Sequence, residues 1–168
     1  MEMEFEEVYR TYFRDVYLYL RRLSGDELVA EEVTSETFFR AMRSIEKFRG
    51  ECDLRVWLCQ IAKNCYYTYV KKHAGVVTVD YEQLQAVADP KAGPEEGLTQ
   101  REEAVRLQKL LHTLPEPYRE VVMWRVYAEL SFKQIGQVFG KSENWACVTY
   151  HRAKKMLRSR WEEDQHEK

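Results

Sequence analysis

Between Leu130 and Leu157 the chain reads LSFKQIGQVFGKSENWACVTYHRAKKML, and its residue types suit contact with a polyanion better than bond-making chemistry. Ser131 can cap a helix, with Gln134 three residues on completing a capping box. Phe132, Ile135, Val138 and Phe139 then fall on one helical face, and Gly140 marks a stop. Ser142 offers a second cap, after which Trp145, Val148, Arg152 and Lys155 recur at helical spacing. Arg152, Lys154, Lys155, Arg158 and Arg160 load the far end with cations. This is a helix-turn-helix pattern: a helix lying in a DNA major groove touches base edges with its first turns, and cations farther along hold phosphates. Two short amphipathic helices around a turn also occur in domains that never meet nucleic acid, so the rest of the chain decides the matter.

Other chemistries find little support. The four cysteines, Cys52, Cys59, Cys65 and Cys147, form no CxxC pair and read as reduced, small apolar residues. The four histidines, His73, His112, His151 and His166, show no HExxH spacing, so no metal site is expected. No nucleophile–base set or phosphate-binding glycine loop is present, and we expect no catalytic residues, no cofactor, no small-molecule substrate and no enzymatic activity.

The 168 residues, 45% of them hydrophobic, are enough for one domain or two small ones. The N-terminal MEMEFEEVYRTYF is acidic where a signal peptide would be basic, and no apolar run reaches membrane-span length. A cytoplasmic protein without membrane insertion is expected. The formal net charge of -2 hides an asymmetry: residues 99–160 carry 12 Lys and Arg against 6 Asp and Glu, whereas residues 73–98 carry 1 against 5. The basic C-terminal part fits phosphate contact. The near-neutral residues 1–72, with 12 cations and 13 anions, suit a protein partner at least as well as DNA.

Elements to position these groups can be read from periodicity. A first helix over about Glu4–Leu23 aligns Phe5, Val8, Tyr9, Tyr12, Val16, Tyr19, Leu20 and Leu23. A second, about Glu27–Ile45, presents Leu28, Val33, Phe38, Met42 and Ile45. The pattern breaks at Gly50, and Asp53 can cap a third helix through Leu54, Trp57, Leu58, Ile61, Ala62 and Cys65 to about Lys72. Residues 73–98, with three glycines, two prolines and the acid excess, read as a flexible linker in which Val76–Tyr81 suits a short extended piece. Helices resume from about Thr99 to Leu114 and from Glu116 to Tyr127, then reach the helix-turn-helix. Trp161–Lys168 turns acidic and is expected to fray. The expectation is an all-α chain of two small helical domains, residues 1–72 and 99–168, joined by a linker over 73–98.

In that order the motifs resemble the extracytoplasmic-function class, group IV, of bacterial sigma factors in the sigma-70 family. EEVTSETFFRAMRSIEKFRG (31–50) and LRVWLCQIAKN (54–64) look like the family's region 2. LPEPYREVV (114–122), LSFKQIG (130–136) and HRAKKML (151–157) look like region 4. The resemblance implies a factor that binds core RNA polymerase, directs it to a promoter and helps open the DNA.

It also implies roles for particular residues. The second helix would dock on the clamp helices of the largest polymerase subunit through Glu32, Ser35, Glu36, Phe39, Arg40 and Arg43, with the flap as a second polymerase contact. The loop Lys47–Asp53 occupies the position of the pocket for an unpaired -10 base, where Lys47, Phe48 and Arg49 are candidates, although Phe48 fits core packing equally well. Arg55, Lys63, Asn64, Tyr67, Lys71 and Lys72 on the next helix suit a strand backbone, and the amide of Asn64 suits a base edge. Trp57 reads as a core residue. For the -35 element the candidates are Ser142, Glu143, Asn144, Cys147, Val148, His151, Arg152 and Lys155, while Trp145 fits packing on the preceding helix better than contact with DNA.

NWACVT (144–149) departs from the family's more cationic and hydroxyl-bearing stretch, which points to methyl contact and groove shape in readout. The acidic linker residues Asp80, Glu82, Asp89, Glu95 and Glu96 suit either the polymerase's RNA exit region or a plain tether. The resemblance further implies an anti-sigma factor as partner. Two other readings remain open: a conventional helix-turn-helix regulator that binds DNA without polymerase, and a helical adaptor that contacts only proteins.

Overall fold

The structure is a computed structural model that describes residues 4–73 and 94–166. The expected extended piece at Val76–Tyr81 and most of the expected linker lie outside the described residues. The described chain is helical and divides into two compact units, Met1–Asp80 and Tyr81–Lys168.

The first unit packs α1 (Phe5–Ser24), α2 (Glu27–Ser44) and α3 (Leu54–Lys72) against one another, with a short 3-10 turn at Ile45–Lys47. α1 stops because Gly25 takes φ +68°, a left-handed conformation, and its N–H returns to Arg21 O at 2.9 Å. α2 starts at once because the Asp26 carboxylate accepts the N–H groups of Leu28 and Val29 at 2.9 and 3.2 Å. Asp53 is the N-cap of α3 through its backbone, Asp53 O accepting Trp57 N–H at 3.0 Å, but its carboxylate makes no capping bond.

The core joins Val8, Val16, Leu20 and Leu23 to Val33, Phe38 and Ala41 and to Val56, Leu58, Cys59 and Ala62. Periodicity misjudged the buried face of α2. Its stripe runs through Ala30, Val33, Thr34, Thr37, Phe38 and Ala41, while Leu28 is 74% exposed and Met42 49%. The small residues let neighbouring helices approach, and the threonines can be buried because their hydroxyls donate to Ala30 O (2.5 Å) and Val33 O (2.7 Å). On α1, Tyr9 is likewise 42% exposed, its ring lying against Phe13 and Phe38.

The second unit holds α4 (Pro94–Leu111), α5 (Tyr118–Val126), α6 (Phe132–Phe139) and α7 (Glu143–His166), with α4, α5 and α6 all packing on α7. α4 begins at Pro94, inside the stretch expected as linker, in keeping with proline's fitness for a first helical turn. It ends at Leu111, before the expected Leu114. Trp124, Val121, Leu130 and Ile135 fill the centre together with Ala146 and Ala153 of α7.

Of the stretch expected to fray, residues 161–166 are helical, and α7 continues to His166. The reason is a side-chain clasp: the Arg106 guanidinium lies 3.9 Å over the Trp161 ring, and it donates to the Asp164 carboxylate at 2.5 Å and to Trp161 O at 3.0 Å. Arg160 adds a bond to Thr113 Oγ1 at 2.6 Å. Among the described residues no helix is long and apolar enough to cross a membrane.

Candidate nucleic-acid interface

The turn between α6 and α7 is built by two caps and two glycines. Ser131 Oγ accepts Gln134 N–H at 3.1 Å, and Gln134 Oε1 accepts Ser131 N–H at 2.8 Å, so the capping box closes in both directions. Gly140 ends α6 at φ +65°, and Lys141 N–H reaches back to Gly136 O at 2.8 Å. Gly136 is required by proximity: a Cβ there would stand 2.7 Å from Lys141 O and 2.9 Å from Ser142 O. Ser142 Oγ then accepts Trp145 N–H at 3.0 Å and starts α7. Trp145 packs its ring 5.1 Å from Phe139, on the preceding helix.

Ala146, Thr149 and Ala153 turn α7 toward the unit's interior. Its opposite side exposes Glu143, Asn144, Val148, His151, Arg152 and Lys155, with Cys147 half-buried beside them. Ser142 is exposed too, but its hydroxyl is already engaged in the cap. The candidates therefore form one continuous face, with amide, apolar and imidazole groups near the start and cations beyond.

The first unit presents two further faces. On α3, Asn64, Tyr67 and Lys71 are exposed at helical spacing, and Lys63 Nζ sits 6.0 Å from the Tyr67 ring. Lys47 and Arg49 are exposed on the loop before α3, whereas the Phe48 ring packs 5.1 Å from Trp57, which is itself half-buried. Arg55 is half-buried with its Nε enclosed.

On α2 the expected residues Glu32, Ser35, Glu36, Phe39, Arg40 and Arg43 are all exposed. Arg40 Nε donates to Glu36 at 2.9 Å, and the Arg43 guanidinium lies 5.6 Å over the Phe39 ring. Leu28 and Met42, grouped by periodicity with Val33 and Phe38, which are buried, instead join Phe39 on the outside. Their spacing, with Ser35 between them, follows the heptad rhythm of a helix seam, of which the sequence reading places Ser35 and Phe39, but not Leu28 and Met42, on the outer face. A cleft of about 230 Å³ lies beside this face, between Glu32, Glu36 and Arg40 of α2 and Thr68, Tyr69 and Lys72 of α3.

Burial pushes the Cys59 thiol up to about 12 and raises Cys65 and Cys52, so these three stay protonated near neutral pH. His112 is held below its ordinary value by burial and by Arg119, which favours the neutral ring. Among the described residues no three His, Cys, Asp or Glu side chains converge as metal ligands.

Comparison with known proteins follows the division into units. Residues 8–76 match the family model for Sigma-70 region 2, and residues 104–157 match that for Sigma-70, region 4. The chain is 28% identical over 174 residues to RNA polymerase sigma factor YlaC of Bacillus subtilis (strain 168), covering 94% of this chain and 95% of YlaC. It is also 28% identical over 158 residues to ECF RNA polymerase sigma factor SigM of the same organism, covering 94% of each. Among solved structures, CnrH in complex with the cytosolic domain of CnrY superimposes with a TM-score of 0.64 at 18% identity, covering 95% of this chain and 88% of CnrH. The sigma factor RpoE in complex with the anti-sigma factor NepR from Bartonella quintana gives 0.62 at 16% identity, covering 93% and 95%. At these identities the two structures share the fold.

Proposed function

The chain belongs to the sigma-70 family of RNA polymerase sigma factors, in its extracytoplasmic-function class, and from that premise we propose which face carries each part of its work. As a sigma factor it binds core RNA polymerase and directs promoter-specific initiation. The outer face of α2, from Glu32 to Arg43 and widened by Leu28 and Met42, docks on the clamp helices of the largest polymerase subunit. An apolar seam flanked by the Glu36–Arg40 ion pair and the Arg43 cation suits a helix-on-helix interface. Lys47, Arg49 and the exposed side of α3 take the -10 strand, with Asn64 on a base edge and Tyr67 available for stacking. α7 reads the -35 element from Glu143 to His151, and Arg152 and Lys155 hold phosphates.

The work is recognition rather than catalysis, and its place is the cytoplasm, where polymerase is found. An anti-sigma factor is proposed as the inactivating partner, because both solved relatives named above are bound to a second protein and one of these is called an anti-sigma factor.

The observation that carries the reading is the co-occurrence, in order, of the region 2 and region 4 matches, each on its own helical unit. The test is reconstitution: purified chain, core polymerase and a promoter-fragment library, scored by transcript start sites. Specific initiation and co-purification with core polymerase are expected. DNA binding without either would instead establish a conventional helix-turn-helix regulator.

A further inference from the structure

We propose that Arg125 is a positioning residue for -35 recognition; the inference rests on the reading of α7 as the -35 reader. Arg125 belongs to the last turn of α5 and is half-buried, outside every face described above. One edge of its guanidinium donates from an Nη to Leu130 O at 3.0 Å. Its Cζ lies over the ring of Phe132, 4.2 Å from the centroid. Leu130 and Phe132 bracket Ser131, the N-cap of α6, so a single planar group holds both sides of the cap. An ammonium cannot use edge and face at once in this way. The same loop carries Glu129 at φ +55°, a conformation that a non-glycine residue keeps only when its surroundings fix it.

Phe132 passes this constraint onward. Its ring meets Tyr150 at 5.5 Å and His151 at 6.5 Å, and those two rings lie 6.0 Å apart. His151 is exposed on the reading face of α7. A chain of contacts thus runs from α5 through the first residue of α6 to the imidazole offered to DNA. Arg125 acts through these rings and does not itself touch the nucleic acid.

The test uses full-length protein assembled with core polymerase and, as probe, a duplex carrying the -35 element that the wild-type holoenzyme selects from the library. Arg125→Met and Arg125→Lys should each weaken binding about three- to tenfold, the loss of one stacked, hydrogen-bonded cation. They should also relax the base preference at the step facing His151. The slope of log affinity against log salt should stay at its wild-type value, whereas Arg152→Ala should lower it by about 0.9. Phe132→Leu should reproduce the loss, and the Arg125→Met/Phe132→Leu double variant should be no weaker than the worse single.

A salt slope that drops by about one unit in Arg125→Met would mean direct phosphate contact and overturn the inference. Wild-type affinity in Arg125→Lys, or additivity in the double variant, would overturn it equally. Should Arg125→Met lose its cooperative melt, Arg125→Lys, which keeps the stem and the charge, decides. Failure of the wild-type holoenzyme to select any -35 element is a separate result that removes the functional reading itself.

Discussion

Replacing Gly136 by alanine sets two local effects against each other. Helix propensity alone favours the change by about 1 kcal/mol, because alanine loses less backbone freedom than glycine. The new Cβ, however, would stand 2.7 Å from Lys141 O and 2.9 Å from Ser142 O, and both are backbone atoms with no rotamer to escape into. To restore a 3.4 Å contact the turn must retreat by about 0.7 Å, the difference between 3.4 and 2.7 Å. Retreat draws Lys141 N–H away from Gly136 O, now at 2.8 Å. Overpacking costs about 1–3 kcal/mol and the weakened hydrogen bond about 1 kcal/mol, so the net loss is about 1–3 kcal/mol after the propensity gain. Gly140→Ala is the control: a Cβ there meets nothing within 4 Å, and only the φ of +65° opposes it, at about 1 kcal/mol. Urea titration followed by tryptophan fluorescence should show Gly136→Ala with the lower midpoint of the two. Its -35 binding should also fall, because the turn that moves carries the first residues of α7. A midpoint at or above wild type for Gly136→Ala would mean the close approach does not exist and propensity governs the site.

Ser131→Ala removes the hydroxyl that accepts Gln134 N–H, leaving only the return bond from its own backbone N–H to Gln134 Oε1, and should lower stability by about 1 kcal/mol in the same titration. Leu28→Glu and Met42→Glu should leave the melting temperature near wild type, since both side chains are exposed, yet abolish co-purification with core polymerase; a cold unfolding or retained binding would return them to the core or to neutrality. Arg106→Ala should cost about 1–2 kcal/mol through lost stacking and ion pairing, and it should make the C-terminal turn of α7 exchange amide hydrogens faster. Cys59 adds a pH dependence. Its thiol sits at about 12 in the folded chain against 9.0 for the free group, so below pH 9 both states are protonated. Above pH 9 only the unfolded thiol ionises, and stability falls as pH rises, by at most about 1.4 kcal/mol per unit. Cys59→Ala should fall less steeply between pH 8 and 10.5 in a urea series; an identical slope would count against the burial.

The sequence was most informative where the determinants are local. Ser131 with Gln134, Gly140 and Ser142 announce the ends of α6 and α7 because capping bonds span only a few residues. The exposed character of the α7 candidates followed from the same short-range periodicity. Periodicity misjudged α2 because its buried stripe is made of alanines and threonines, whose hydroxyls are satisfied within the helix, while larger apolar residues face out. Nothing in the pattern at 28, 39 and 42 distinguishes an inner from an outer seam. Trp161 and Arg125 were missed for a different reason: their partners, Arg106 and Phe132, sit on other helices, and an acidic tail or a lone arginine carries no trace of a ring waiting elsewhere. Arg55 shows the same limit, since its charge suggests a strand contact while its Nε lies inside.

The region 4 match ends at residue 157, yet Trp161 and Asp164 still grip α4. For anyone building hybrid factors, the boundary of the homologous block is therefore not the boundary of the portable part. A -35 reader grafted up to Leu157 would leave Arg106 with neither its ring nor its carboxylate, and the recipient would inherit a helix missing its far anchor. A transplant carried through His166 takes both ends of that attachment along.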